Sequence, residues 1–132
     1  MTHISLKKYK QTTVSAAKEA SPYQLVAMLF QELLGSIASA KGAIEQKNLA
    51  RKGELISKAI TIISVLEGSI DFENGGEVSN NLAALYNYSS EQLLQANINN
   101  SIELLDEVIQ ILLPIKAGWD SIPAEAQTSV SF

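Results

Sequence analysis

Apolar positions in this chain recur at threes and fours through four long stretches, separated by short polar breaks, the pattern of amphipathic helices. In the first stretch Leu25, Met28, Leu29, Leu33, Ile37, Ala40 and Ile44 form one stripe, and Val26, Phe30 and Leu34 form a second beside it. Ser21-Pro22 predicts its start, with serine as cap and proline at the first helical position, where the missing N–H costs nothing. The pattern runs to about Gln46. Gly35 and Gly42 interrupt it; each lowers helix propensity by about 1 kcal/mol and leaves room for a close helix contact. The second stretch, capped by Asn48 and running to about Phe72, carries Leu49, Ile56, Ala59, Ile60, Ile63, Leu66 and Ile70, with Leu55, Ile62 and Val65 as its second stripe. The third runs from near Ser79 to near Asn97 and is expected to turn Leu82, Leu85, Tyr86, Leu93 and Ala96 inward. The fourth carries Ile102, Leu105, Val108, Ile109, Leu112, Ile115 and Trp119, with Leu104, Ile111 and Leu113 in excess of one face.

The breaks are as informative as the stripes. Asn74-Gly75-Gly76 reads as a helix–helix loop, because a hairpin turn would need alternating strands on either side. Asn97, Asn99 and Asn100 mark the next loop, and Asn100 with Glu103 predicts a capping-box start for the fourth helix. Pro114 falls inside that helix and predicts a kink or a restart, since proline removes one backbone hydrogen bond and clashes with the preceding turn. The expected architecture is all-α, an antiparallel up-down four-helix bundle. Residues 1–20 form an N-terminal arm with Ile4, Leu6, Tyr9 and Val14, residues 21–120 a single bundle domain, and residues 121–132 a mobile C-terminal tail.

Composition changes this picture in one respect. A chain of 132 residues suits one core. Its 18% of charged residues is below the usual quarter, which leaves apolar side chains that one core does not cover. The second stripes say the same. A wide core or a homodimer would explain them, and so would a groove that takes an amphipathic helix from a partner. The net charge of −4 is unevenly placed, with nine Lys/Arg against four Asp/Glu in residues 1–66 and Lys116 alone against ten acids thereafter. That imbalance serves either internal pairing between helices or an acidic docking face. A sequence pI of about 4.9 argues against nucleic acid. There is no cysteine, hence no disulfide framework, which fits a reducing compartment. No apolar run reaches the roughly 18 residues of a membrane span. The first residues lack the continuous apolar stretch of a signal peptide, so no membrane insertion is expected and the cytoplasm is the default location.

Little in the sequence speaks of catalysis. His3 is the single histidine and lies on the arm, so neither a phosphotransfer bundle nor a Glu-x-x-His di-iron site is available. Gly75-Gly76 has no phosphate-loop lysine, and no serine has a histidine base beside it on the helices. Glu73 and Glu77 flank a loop, but two carboxylates are thin support for a cation site. Asp106 and Glu107 are adjacent and diverge on a helix, as on a solvated face. No enzyme and no cofactor are expected. Tyr86 and Tyr88 diverge by about 200° on one helix; one belongs to the core, and the other covers the surface or lines a groove. Trp119 is expected to close one end of the core.

Taken in order, several short pieces resemble the FliS family, the export chaperones of bacterial flagellin. They are Leu6-x-x-Tyr9 with Val14, Ala20-Ser21-Pro22 with Leu25 and Met28-Leu29-Phe30, and Lys58-Ala59-Ile60. Gly75-Gly76-Glu77 with Asn81-Leu82, Leu85-Tyr86-x-Tyr88, Gln95-Ala96-Asn97, Glu107-Val108 and Ala117-x-Trp119 follow. The resemblance covers roughly residues 4–122. It departs from the family pattern at Asn87 and at Asn100-Ser101, where aspartate is common, and at Pro114. It implies a cytoplasmic bundle that binds the disordered C-terminal segment of flagellin in apolar grooves, preventing premature polymerisation and keeping the subunit export-competent. The groove residues implied are Leu55, Ile62, Val65, Tyr86, Leu104, Val108 and Ile111, with Leu6 and Tyr9 of the arm as a plug when the client is absent. It further implies a contact with the export-gate component, for which Asp106 and Glu107 are candidates. A homodimeric adaptor bundle with no flagellin client, dimerising through the same second stripes, is the competing expectation.

Overall fold

A computed structural model describes residues 20–127. They form α1 (Pro22–Glu45), α2 (Leu49–Gly68), α3 (Phe72–Asn99), α4 (Ile102–Asp120) and a single turn, α5 (Ala124–Gln127). The expected all-α four-helix bundle is the observed architecture. α1 packs on α2, α2 on α3, α3 on α4 and α4 back on α1, so the four long helices close a ring.

Each helix end has a local cause. At the start of α1 the Ser21 hydroxyl accepts from the Gln24 N–H at 3.1 Å, and the Ser21 N–H donates to the Gln24 side chain at 3.0 Å. This is a full capping box. α1 stops where Lys47 turns left-handed, with φ 58°. Asn48 N–H then donates to Ala43 at 2.9 Å and Lys47 N–H to Ile44 at 3.0 Å, the paired bonds of a Schellman motif. Asn48 caps α2 through the Arg51 N–H.

Three boundaries differ from the sequence reading. α2 ends at Gly68 rather than near Phe72, because Asp71 caps a new helical turn through the Glu73 and Asn74 N–H groups. Asn74-Gly75-Gly76 is therefore not an open loop: the turn it belongs to runs into the body of α3 across a break at Gly76, with φ 54° and ψ −127°. That backbone suits glycine alone. A Cβ on Gly75 would sit 1.7 Å from the Ser79 hydroxyl, which donates to the Asp71 carbonyl at 2.8 Å. At the other end of α3, Asn100 adopts φ 51° as a left-handed C-cap, and Ser101, not Asn100, caps α4 through the Leu104 N–H at 3.2 Å. α4 continues through Pro114 as one helix to Asp120, without a restart. Within the expected tail, Ala124–Gln127 form a turn whose Gln127 amide donates to the Ile122 carbonyl.

The core is dominated by α1 and α2. Leu25, Leu29, Phe30, Leu33 and Ile37 of α1 and Ile56, Ile62, Ile63 and Leu66 of α2 are fully buried. Gly35 and Gly42 do not mediate a close contact, since a Cβ at either would meet nothing within 4 Å. α3 and α4 contribute less, chiefly Tyr86 and Leu93, and Leu105, Val108 and Leu112. The inward face of α3 also buries Ser79, Ser89 and Ser90. Ser89 Oγ is the only buried side-chain polar atom among the described residues without a hydrogen-bond partner. Lys52, only 7% exposed, reaches from the start of α2 to the end of α3. Its ammonium donates to the Asn97 carbonyl at 2.8 Å and to Asn100 Oδ1 at 2.6 Å, a cation on the negative end of a helix dipole. Lys58–Glu32 at 2.8 Å ties α2 to α1, and Lys41–Asp106 at 2.5 Å ties the single lysine of α1 to acidic α4.

Candidate functional site

Apolar side chains that the core leaves uncovered are concentrated on the second half of the chain. Among the described residues, the exposed large apolar side chains are Met28 and Leu49 before residue 70, and Phe72, Val78, Leu85, Tyr88, Leu94, Ile98 and Leu113 after it. On α3 the positions of Val78, Leu82, Leu85 and Tyr88 follow helical spacing, which puts them along one side. That side faces the seam with α4, because the Tyr88 hydroxyl donates to the Glu107 carboxylate. Leu104 and Ile111 lie one turn before and one turn after Glu107 and so border the same seam; both are half-buried. The strip thus combines an exposed α3 edge with the half-covered α4 edge beside it.

At one end the strip opens into a cavity of about 380 Å³. Its walls come from all four long helices: Val26 and Phe30 of α1, Leu66 of α2, Ser79, Leu82 and Tyr86 of α3, and Ile115 and Trp119 of α4. Asp71 and Asn74 make its polar rim. Trp119 stacks on Tyr23 with ring centroids 5.5 Å apart, and its indole N–H donates to the Tyr23 carbonyl at 3.1 Å. The expectation that Trp119 closes one end of the core agrees with this position. Such a concave, largely apolar site with a few polar groups is suited to apolar side chains from a partner.

The ionisable groups here are tuned for structure rather than for chemistry. Burial pushes the Tyr86 phenol well above its ordinary value, so it remains a neutral hydroxyl, and it makes no hydrogen bond among the described residues. The Tyr88 phenol is raised by its hydrogen bond to the Glu107 carboxylate, while the Gln92 amide donates to the Tyr88 phenolic oxygen at 3.2 Å. The side-chain amide and backbone N–H of Asn74 hold the Asp71 carboxyl below the usual range, as expected of a helix cap. Among the described residues no group of three or more His, Cys, Asp or Glu side chains is placed to hold a metal, and no helix is long and apolar enough to cross a membrane.

The predicted groove residues divide. Leu104 and Ile111 lie on the seam, and Tyr86 lines the cavity. Val108 is fully buried. Leu55, Ile62 and Val65 are core rather than surface: they are buried on the same side of α2 as Lys58, which pairs with Glu32 of α1. That second stripe packs α2 against α1, while the main stripe packs inward and toward α3. Leu6 and Tyr9 lie outside the described residues, as does the arm apart from the buried Ala20. Sequence reasoning missed Val78, and it placed Leu85 inward although that side chain is 40% exposed. The signal was the serines: Ser79, Ser89 and Ser90 fill the inward face of α3 and rotate its apolar residues toward solvent. Asp106 and Glu107 are engaged with Lys41 and Tyr88 respectively.

Comparison with known proteins gives the sequence relatives of this chain. The sequence profile of the family described as flagellar protein FliS matches residues 5–126. The chain is 43% identical over 119 residues to the flagellar secretion chaperone FliSB of Pseudomonas aeruginosa, covering 89% of this chain and 94% of that protein. It is 39% identical over 122 residues to the flagellar secretion chaperone FliS of Vibrio cholerae, covering 92% and 90%. The corresponding protein of Salmonella typhimurium is 40% identical over 127 residues, covering 95% and 94%.

Proposed function

This chain belongs to the FliS family of flagellar secretion chaperones, and on that footing we propose that it binds the disordered C-terminal segment of flagellin in the cytoplasm and delivers it to the export gate. The observation that carries this reading is the uncovered apolar strip of α3 and α4 running into an open cavity. A segment that would otherwise pack against other subunits lays its apolar face along Val78, Leu85, Leu104 and Ile111 and inserts a side chain beneath Tyr86 and Trp119. Ordering the client costs about 2–5 kcal/mol, offset by the apolar area it buries. Coverage of that segment prevents premature polymerisation. The family is one of chaperones, and the chemistry of the site is that of a binding surface, not of a catalyst.

We extend the reading to the arm. Residues 1–19 carry four lysines against one glutamate, and they lead through Ala20 into α1 close to Tyr23, whose ring stacks on the cavity residue Trp119. On this reading Leu6 and Tyr9 cover the cavity when no client is bound, and the lysines complement the Asp71 carboxylate at its rim.

Calorimetric titration with the C-terminal segment of flagellin from the same organism tests the proposal. Tight one-to-one binding with a negative heat-capacity change supports it, and Leu85→Ser together with Ile111→Ser lowers affinity at least tenfold, the order expected from removing two apolar contacts. Absence of binding by a folded protein that sediments as a dimer favours the adaptor bundle instead.

A further inference from the structure

The two halves of α4 are held to the molecule in different ways. The residues of α4 that are fully buried, Leu105, Val108 and Leu112, all precede Pro114. Beyond it, Ile115 and Trp119 are half-buried, and Ala117, Gly118 and Asp120 are exposed. Pro114 has no N–H to give the preceding turn, so the backbone ladder is weakest where the burial ends. Gly118 weakens the last turn again, with open space around the position a Cβ would take.

Besides the partial packing of Ile115 and Trp119 on the core, the polar and ring contacts of this distal segment go to one residue. The Trp119 ring stacks on Tyr23 at 13° between planes, its N–H donates to the Tyr23 carbonyl at 3.1 Å, and the Tyr23 hydroxyl donates to the Asp120 carbonyl at 3.3 Å. The same segment supplies the α4 wall of the 380 Å³ cavity through Ile115 and Trp119.

We propose that Ile115–Asp120 is a flap hinged at Pro114 and latched by Tyr23, and that an apolar helical segment of the exported client enters the cavity by releasing that latch. The second clause rests on the client-binding reading above; the hinge itself does not. Swinging the flap outward removes Ile115 and Trp119 from one wall while the wall from α1, α2 and α3 stays in place. The cavity widens from a socket for one or two side chains to a groove open along α4.

Trp119 is the single tryptophan, so its fluorescence reports the flap alone. Acrylamide quenching and amide hydrogen exchange are measured on the full chain without client, in the wild type, Tyr23→Leu, Tyr23→Phe and Pro114→Ala. In the wild type, amides 116–120 exchange faster than amides 105–112. Tyr23→Leu raises exchange of 116–120 by about tenfold, the loss of one stacked pair and one hydrogen bond, and raises quenching, with 105–112 unchanged. Tyr23→Phe, which keeps the stack, gives a smaller rise. Pro114→Ala slows exchange of 116–120. Uniform protection from 105 to 120 in the wild type, or Tyr23→Leu opening all of α4, overturns the hinge. Stopped-flow mixing with the flagellin C-terminal segment then tests the latch: Tyr23→Leu speeds association several-fold and Pro114→Ala slows it, and equal rates overturn its role in entry. If the segment binds none of the variants, the client reading and the entry role fall together, while the exchange data still decide the hinge.

Discussion

The α1–α2 pair and the α3–α4 pair have nearly the same length, yet they are built on different principles. α1 and α2 bury leucine, isoleucine, valine and phenylalanine on broad faces and leave only Met28 and Leu49 exposed among their large apolar residues. α3 lines its inward face with Ser79, Ser89 and Ser90, and α3 and α4 leave Val78, Leu85, Tyr88, Leu94, Ile98 and Leu113 in water. The same apolar residue types serve cohesion in one half and remain available in the other. The proposed binding of a disordered client through apolar contact would use both: a half rigid enough to keep the fold and a half that keeps unspent apolar surface.

Substitutions can break this comparison or sharpen it. The largest effect is expected at Leu33 of α1, which is 0% exposed. Leu33→Ala lowers the unfolding free energy by about 3–5 kcal/mol, whereas Leu94→Ala on exposed α3 changes it by less than about 0.5 kcal/mol. Urea denaturation checks both, and equal losses would erase the distinction between the halves. Lys52 is the polar fastening that holds the end of α3 to α2. Lys52→Met keeps the stem but strips two bonds from Asn97 and Asn100 and costs about 2 kcal/mol, with faster amide exchange confined to the end of α3. Ser89→Ala removes a buried hydroxyl that has no partner, so it raises stability by about 1 kcal/mol; a loss would mean that α3 is better satisfied than its contacts show. The smallest effect appears only in alkali. The Tyr86 phenol is raised by burial, so its contribution is intact below the ordinary tyrosine value of about 10 and is lost as pH rises through the folded value. Wild-type stability therefore falls above about pH 10, and Tyr86→Phe flattens that fall.

The bundle was legible because stripes at threes and fours dominate all four helices, and because Ser21, Asn48 and Asn97–Asn100 mark their ends. What was not legible follows from two physical facts. Small polar residues pack as well as alanine when helices approach closely, so the inward serines of α3 hid its true face and Leu85 was read as core. And a helix flanked by two neighbours needs two apolar faces, so the second stripe of α2 at Leu55, Ile62 and Val65 looked like surplus surface when it was contact with α1. The second stripe of α4 at Leu104 and Ile111 borders the α3 seam instead, and no pattern within either helix distinguishes the two cases. The boundary at Asp71 is hidden in the sequence because a glycine pair normally ends a helix, whereas here the capped turn continues across Gly76. The role of Lys52 has no local signal, since nothing nearby shows that a lysine will be buried on a helix end more than forty residues away.

The left-handed stop at Lys47 also sets the order in which the molecule can assemble. The paired bonds from Lys47 and Asn48 back to Ile44 and Ala43, followed at once by the Asn48 cap, reverse the chain within a few residues. The α1–α2 hairpin is therefore made of contacts local in sequence, the kind that form fastest. It also contains most of the large buried side chains and is complete by Gly68, while the remainder is still being synthesised on the ribosome. The better-packed half can thus stand first as a template, and α3 and α4 dock onto a surface that is already there.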